Sequence, residues 1–279
     1  MEKKVWLVTG ASSGIGLVLV RELLKMGYRV IAASRTPDRL SAEISIGYDE
    51  VFWSVRVDVC DGNMVNRVVK EAESVWGRID VLVNNAGYEQ IGAVEDLTEV
   101  DFKKNMDVNL FGAFRFVKAV LPYMRQNQGG IIFNIASIAA YCAWQGSASY
   151  SCSKAALDSL SQILAQEVKA WNIQVCSVIP GQFRTDFFDN CVYFENKDTP
   201  YSAMYQSKYE GIQQANHRQR GDPKKLAGFL IELSEKTELP IRVFVGEDAY
   251  CCANRYVYGI VDDVKRYESR IKELNIDKG

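Results

Sequence analysis

Two hydrophobic periods alternate along the first 180 residues. Short runs rich in aliphatic and β-branched residues are separated by stretches whose apolar positions recur every three to four residues. The runs predict strands over residues 5–9, 29–34, 51–57, 79–83, 130–136 and 173–179. The stretches between them predict an amphipathic helix over 15–26 stopped by Gly27, a short helix over 37–43, and a helix over 64–76 closed by Gly77. Longer helices follow over 100–124, with Pro122 near its end, and over 150–171. Such alternation implies βαβ units and a parallel sheet covered on both faces. Right-handed crossovers then give a doubly wound sheet, with a ligand crevice at the carboxyl ends of its strands.

Beyond Pro180-Gly181 the periodicity fades. Residues 182–220 are rich in aromatic and polar side chains. So long an irregular segment in an α/β domain reads as a substrate lid. A helix over 223–235 and a strand over 241–245 follow. Val261, Val264, Tyr267, Ile271 and Leu274 then fall at helical spacing within a tail over 255–279.

Composition narrows the function. The chain has 279 residues, 48% of them hydrophobic, and a net charge of −2. That balance offers no basic excess for nucleic acid or an anionic membrane. No signal-peptide pattern opens the chain, and the apolar stretch over 131–144 is too short to span a membrane, so a cytoplasmic protein is expected. Seven cysteines without a CxxC pair fit a reducing compartment better than a disulfide framework. The single histidine, His217, disfavours zinc and Ser-His chemistry, and no metal is expected.

Thr9-Gly10-Ala11-Ser12-Ser13-Gly14-Ile15-Gly16 joins the first strand to the first helix. Free amides and the helix dipole at such a turn attract phosphate, and glycines allow close approach. No Lys-Ser or Lys-Thr follows, which argues against a nucleotide-triphosphate loop. Further motifs follow in order: Asn84-Asn85-Ala86-Gly87 after the fourth strand, then Asn109 within a helix. Ser137 ends the fifth strand, Tyr150-Ser151-Cys152-Ser153-Lys154 opens the next helix, and Pro180-Gly181-Gln182-Phe183-Arg184-Thr185 follows the sixth strand.

Taken together these motifs resemble the short-chain dehydrogenase/reductase family, in the compact branch with a TGxxxGIG turn, over roughly residues 4–250. The resemblance implies one Rossmann-like domain over residues 1–279, a sheet of about seven parallel strands with helices on both faces, and a nicotinamide cofactor. It implies Tyr150 as general acid or base and Ser137 as a hydrogen-bond donor to the substrate oxygen. Lys154 would bind the nicotinamide ribose, and Asn109 would hold a water of a proton relay. The i, i+4 spacing places the Lys154 ammonium beside the Tyr150 phenol, which should lower a pKa that is ordinarily about 10.

Gly10, Ser12, Ser13, Gly14, Ile15 and Gly16 are expected around the pyrophosphate. Asp58 and Val59 are expected at the adenine, and Asn85, Ala86 and Gly87 at the adenosine and ribose. Pro180, Gly181 and Thr185 are expected at the nicotinamide, where Tyr150 and Lys154 also touch the cofactor. The second strand ends in Ser34 rather than an acidic residue, and Arg35 follows, which favours NADP(H) over NAD(H). Residues 141–144 with Phe187, Phe188, Tyr193 and Phe194 are candidate substrate walls, suiting a bulky apolar carbonyl or alcohol. The resemblance also implies a homo-oligomer, dimer or tetramer, joined through the long helices over 100–124 and 150–171. A non-catalytic NADP-binding sensor or scaffold on the same fold is the alternative.

Overall fold

The computed structural model describes residues 3–44, 47, 48, 50–194 and 198–274. The expected lid and tail therefore include residues, 195–197 and 275–279, outside those described. In chain order the elements are β1 (Val5–Thr9), α1 (Gly14–Lys25), β2 (Arg29–Ser34), α2 (Pro37–Glu43), β3 (Phe52–Arg56), α3 (Gly62–Trp76), β4 (Val81–Asn84) and β5 (Gln90–Ile91). Then come α4 (Glu99–Met106), α5 (Gly112–Gln126), β6 (Gly130–Ile135), α6 (Ala148–Glu167), β7 (Ile173–Pro180) and β8 (Val192–Tyr193). The chain continues through α7 (Ser202–Ala215), α8 (Pro223–Ser234), β9 (Arg242–Val245), α9 (Glu247–Arg266) and α10 (Glu268–Lys272).

Seven strands form one sheet in the order β3-β2-β1-β4-β6-β7-β9, with every neighbour parallel. Strand alternation shows why both faces are covered. Trp6 and Val8 of β1 pack with Leu19 and Leu23 of α1 and Leu230 of α8. Val5 and Leu7 point the other way, among Val65 and Val68 of α3, Phe116 and Val120 of α5, and Leu164 of α6. All five residues of β1 are buried, as a central parallel strand requires. The expected single-domain, doubly wound α/β fold is the one observed.

Three elements differ from what the periodicity predicts. The helix expected over 100–124 is broken by a π turn, Asp107–Phe111, between α4 and α5. The helix expected over 150–171 starts at Ala148, so Tyr150 lies in its first turn, and ends at Glu167. The lid segment is not irregular throughout: it contains α7, whose only buried residue is Ile212, so it carries almost no apolar stripe to read. Part of it is tied to the body where β8 pairs with β5.

The expectation of unpaired cysteines is also corrected. Cys142 and Cys252 form a disulfide across 110 residues, joining the segment after Ser137 to α9. The other five cysteines are free. Two cysteines so far apart give no local spacing to recognise; only the fold brings their Cα atoms to 6.4 Å.

Candidate active site

β1 and β4 are neighbours in the sheet although α1, β2, α2, β3 and α3 intervene in sequence, and the chain fans outward to either side of them. A crevice opens at the carboxyl ends of strands at such a switch point. Here it is a continuous cleft of about 1380 Å³.

The glycine turn forms one wall. Gly10 and Gly14 adopt left-handed backbone, with φ of 62° and 56°. A Cβ on Gly10 would stand 2.8 Å from the Ala86 Cα. The closeness is built by hydrogen bonds: Thr9 Oγ1 accepts from the Asn85 and Ala86 amides at 3.0 and 3.1 Å. Asn85 Nδ2 in turn donates to the Thr9 and Gly10 carbonyls at 3.0 and 3.1 Å. Asn85 thus holds the turn in shape. The Ser13 side chain does not cap α1, which leaves first-turn amides open to a ligand in the cleft.

Ser12, Ser13, Gly14 and Ile15 line the cleft beside Gly10, and Asp58, Val59, Ala86 and Gly87 line it further along. Pro180, Gly181 and Thr185 close the far side. Gly16 lies behind the turn, where a Cβ would strike the Gly10 carbonyl and the Asn85 amide. Gly181 is pinned by a residue that sequence reasoning missed. Asp248, in the first turn of α9, accepts from the Gln182 amide at 2.7 Å, and a Cβ on Gly181 would collide with its carboxylate.

At the adenosine end Ser34 is buried, its Oγ accepting from the Thr36 amide at 3.2 Å, and Arg35 is exposed on the rim. Two further guanidiniums join it. Arg56 ends β3 and is paired in register with Ser34; Arg39 projects from α2 and lies 3.6 Å from Asp186 across the cleft. Arg56 was findable, since the ends of adjacent parallel strands line one crevice.

Ser137, Tyr150 and Lys154 line the middle of the cleft together. Burial pushes the Tyr150 phenol above its ordinary value, a hydrogen bond with Ser137 pulls it back, and the charge of Glu89 raises it. The lowering expected from Lys154 does not prevail, because desolvation dominates in this buried site. Burial also draws Lys154 down to about 8. Its Nζ donates to the Ile135 carbonyl at 2.7 Å and lies 5.8 Å from the Tyr150 ring centre.

Asn109 sits in the π turn behind this wall. Its Oδ1 accepts from the Tyr88 amide at 3.0 Å. Its Nδ2 donates to the Tyr88 carbonyl and Ser153 Oγ at 3.0 Å and to Asn105 Oδ1 at 3.1 Å. The side chain thus ties the loop after β4 to α4 and α6. Gly87 must lack a side chain here: a Cβ would come within 3.0 Å of Asn109 Oδ1 and 3.3 Å of Lys154 Nζ.

Of the expected substrate walls, Ala143, Trp144, Phe187 and Phe188 line the cleft, and the Phe187 ring lies tilted at 5.9 Å from that of Tyr150. Tyr141 instead packs between Phe244 and Tyr256 and donates to Asp158 at 2.6 Å. Tyr193 meets Tyr209 of α7 edge-on and Phe194 stacks on Tyr205, so both serve as anchors. Sequence reasoning missed a polar group on the same wall. Glu89 accepts from Ser147 Oγ at 2.6 Å and pairs at 3.2 Å with Lys208 of α7.

Comparison with known proteins follows the same outline. The family model described as short chain dehydrogenase matches residues 4–195. The 3-ketodihydrosphingosine reductase of Bacteroides thetaiotaomicron is 34% identical over 275 residues, covering 97% of this chain and 98% of that one. A short-chain dehydrogenase structure from Streptomyces avermitilis superposes with a TM-score of 0.89 at 32% identity, covering 98% of this chain and 100% of the other. A structure of ElxO with NADP bound gives a TM-score of 0.71 at 26% identity, over 87% of this chain and 96% of that one.

Proposed function

The chain belongs to the short-chain dehydrogenase family, whose members are oxidoreductases that bind a nicotinamide cofactor, and from that premise we propose that it is an NADP(H)-dependent carbonyl reductase or alcohol dehydrogenase. The observation that carries this reading is the gathering of Ser137, Tyr150 and Lys154 in the cleft that the glycine turn opens. The nicotinamide supplies hydride to carbon in reduction and accepts it in oxidation. The cleft fits the dinucleotide, for Gly10 and Gly14 keep a cradle free of Cβ atoms at the uncapped start of α1.

The protein's own groups handle the proton. Tyr150 gives its phenolic proton to the carbonyl oxygen, or takes one from an alcohol, while Ser137 holds that oxygen in reach. A phenol kept protonated by burial is in the right state for reduction. Lys154, fixed by the Ile135 carbonyl, offers its ammonium to the ribose hydroxyls and to the recovering tyrosine. Asn109, held behind Lys154 by Tyr88, Asn105 and Ser153, is the residue to which we assign the relay water.

The preference for NADP(H) rests on Arg35, Arg39 and Arg56 around the end of β2, where Ser34 stands in place of an acidic residue. One charge-assisted contact is worth about 1.5–3 kcal/mol, a preference of roughly ten- to hundredfold. We read the segment carrying α7 as the lid. Trp144, Phe187, Phe188, Met204 and Ile212 then give the substrate an apolar bed beside the Glu89–Lys208 pair. A panel of bulky ketones headed by 3-ketodihydrosphingosine, followed by NADPH oxidation, tests the assignment. Tyr150→Phe should abolish turnover while NADPH binding, read by fluorescence, persists. Activity of the variant within tenfold of wild type would remove Tyr150 as the acid, and equal kcat/KM with NADH and NADPH would remove the cofactor preference.

A further inference from the structure

α9 begins inside the molecule and leaves it. Ala249 and Cys252 are buried against Ile138 and Ile179, and Tyr256 meets Tyr141 at 5.0 Å. From Arg255 to Leu274 every residue is exposed. The exposed stretch is not polar throughout. Val257, Ile260, Val264, Tyr267, Ile271 and Leu274 are all solvent-exposed, and their spacing alternates strictly between three and four residues. That is the a/d spacing of a coiled coil, three a/d pairs long, and among the described residues nothing packs upon it. The helix is interrupted only at Tyr267, between α9 and α10.

A membrane surface is a poor match for this face. The exposed stretch carries Arg255, Lys265, Arg266, Arg270 and Lys272 against Asp262, Asp263, Glu268 and Glu273. Helices that lie on anionic bilayers have a strongly basic polar face instead. The positions of the charges point to a different occupant. Asp263 and Arg270 precede Val264 and Ile271, so both occupy the flanking position before an a residue. In a parallel pair Asp263 would face Glu268 of the other helix, with like charges opposed. In an antiparallel pair centred between Val264 and Tyr267, Asp263 faces Arg270 of the second copy, and the twofold axis repeats the contact. Val257 then meets Leu274, Ile260 meets Ile271, and Val264 meets Tyr267. Arg270 already pairs with Glu273 at 2.6 Å, but both are well exposed, and such a pair exchanges at little cost.

We propose that the C-terminal helix is a self-association surface that clasps the same helix of a second copy of this chain in antiparallel register. The interface is separate from the long helices α5 and α6 and requires nothing of the catalytic reading. The seam is self-complementary, as an isologous contact must be.

Sedimentation equilibrium of the full chain at micromolar concentration tests this. Val264→Asp, at an exposed position, should halve the mass, from dimer to monomer or from tetramer to dimer, with the far-UV circular dichroism unchanged. Asp263→Arg and Arg270→Asp should each weaken association at least tenfold, and the two together should restore it to within threefold of wild type. This charge exchange remains decisive if Val264→Asp fails to fold. Unchanged mass in Val264→Asp, or no restoration in the double variant, overturns the proposal. So does a monomeric wild-type chain that co-sediments with phosphatidylserine vesicles.

Discussion

Replacing Lys154 with methionine should change the pH dependence of stability as well as remove activity. The lysine is buried, and burial draws it from 10.5 to about 8. At about 1.4 kcal/mol per pH unit, holding the ammonium there costs about 3 kcal/mol. Below pH 8 the lysine is charged in both the folded and unfolded chain, and the full penalty applies. Between pH 8 and 10.5 the folded lysine is neutral while the unfolded one is still charged. The unfolded chain then binds more protons, and wild-type stability gains as pH rises. Methionine is unbranched, one atom shorter and uncharged, so Lys154→Met escapes the penalty. It also strands the Ile135 carbonyl that Lys154 serves at 2.7 Å, a loss of about 1–3 kcal/mol. The variant should therefore match or slightly exceed wild type at pH 7. Its stability relative to wild type should fall by about 3 kcal/mol by pH 10.5. Urea denaturation of both proteins at pH 7, 8.5, 9.5 and 10.5 measures this, and other titrating groups cancel in the difference. A difference constant within about 1 kcal/mol would refute the reasoning and mean that Lys154 is solvated as an ordinary surface lysine.

Gly87→Ala places a methyl 3.0 Å from Asn109 Oδ1 and 3.3 Å from Lys154 Nζ. It should lower kcat at least tenfold and stability by about 1–3 kcal/mol; unchanged kcat in steady-state assays would show that the lysine yields freely. The Cys142–Cys252 bridge closes 110 residues, for which chain entropy predicts up to about 5 kcal/mol. Dithiothreitol and Cys142→Ser should each lower the denaturation midpoint, and Cys251→Ser, at an exposed free thiol, should not. Equal midpoints with and without reductant would mean that the bridge contributes nothing.

What the sequence discloses follows how far apart the interacting parts lie. β1 is buried on both faces and reads as a continuous apolar run; α3 carries a clear stripe through Val65, Val68, Val69 and Ala72. The elements of the sheet were legible for that reason. β5 and β8, of two residues each, are too short for any period, and α7 buries one residue. In the candidate site, Tyr150 and Lys154 announce themselves through local spacing. Asp248, Arg56 and the Glu89–Lys208 pair do not, because each acquires its place from sheet register or from a helix distant in sequence. The π turn around Asn109 has no signature either, and the partners of its side chain, Tyr88 and Ser153, lie far from it in sequence.

α9 is a rod fixed at its inner end. Its 20 residues extend about 30 Å. Its first turn carries Asp248, which fixes the loop at Gly181 and Gln182, and one turn later Cys252 grips the segment that follows Ser137. Its outer turns stand in solvent. One rod therefore anchors two loops beside Tyr150, and a truncation that removed its inner turns would release both at once.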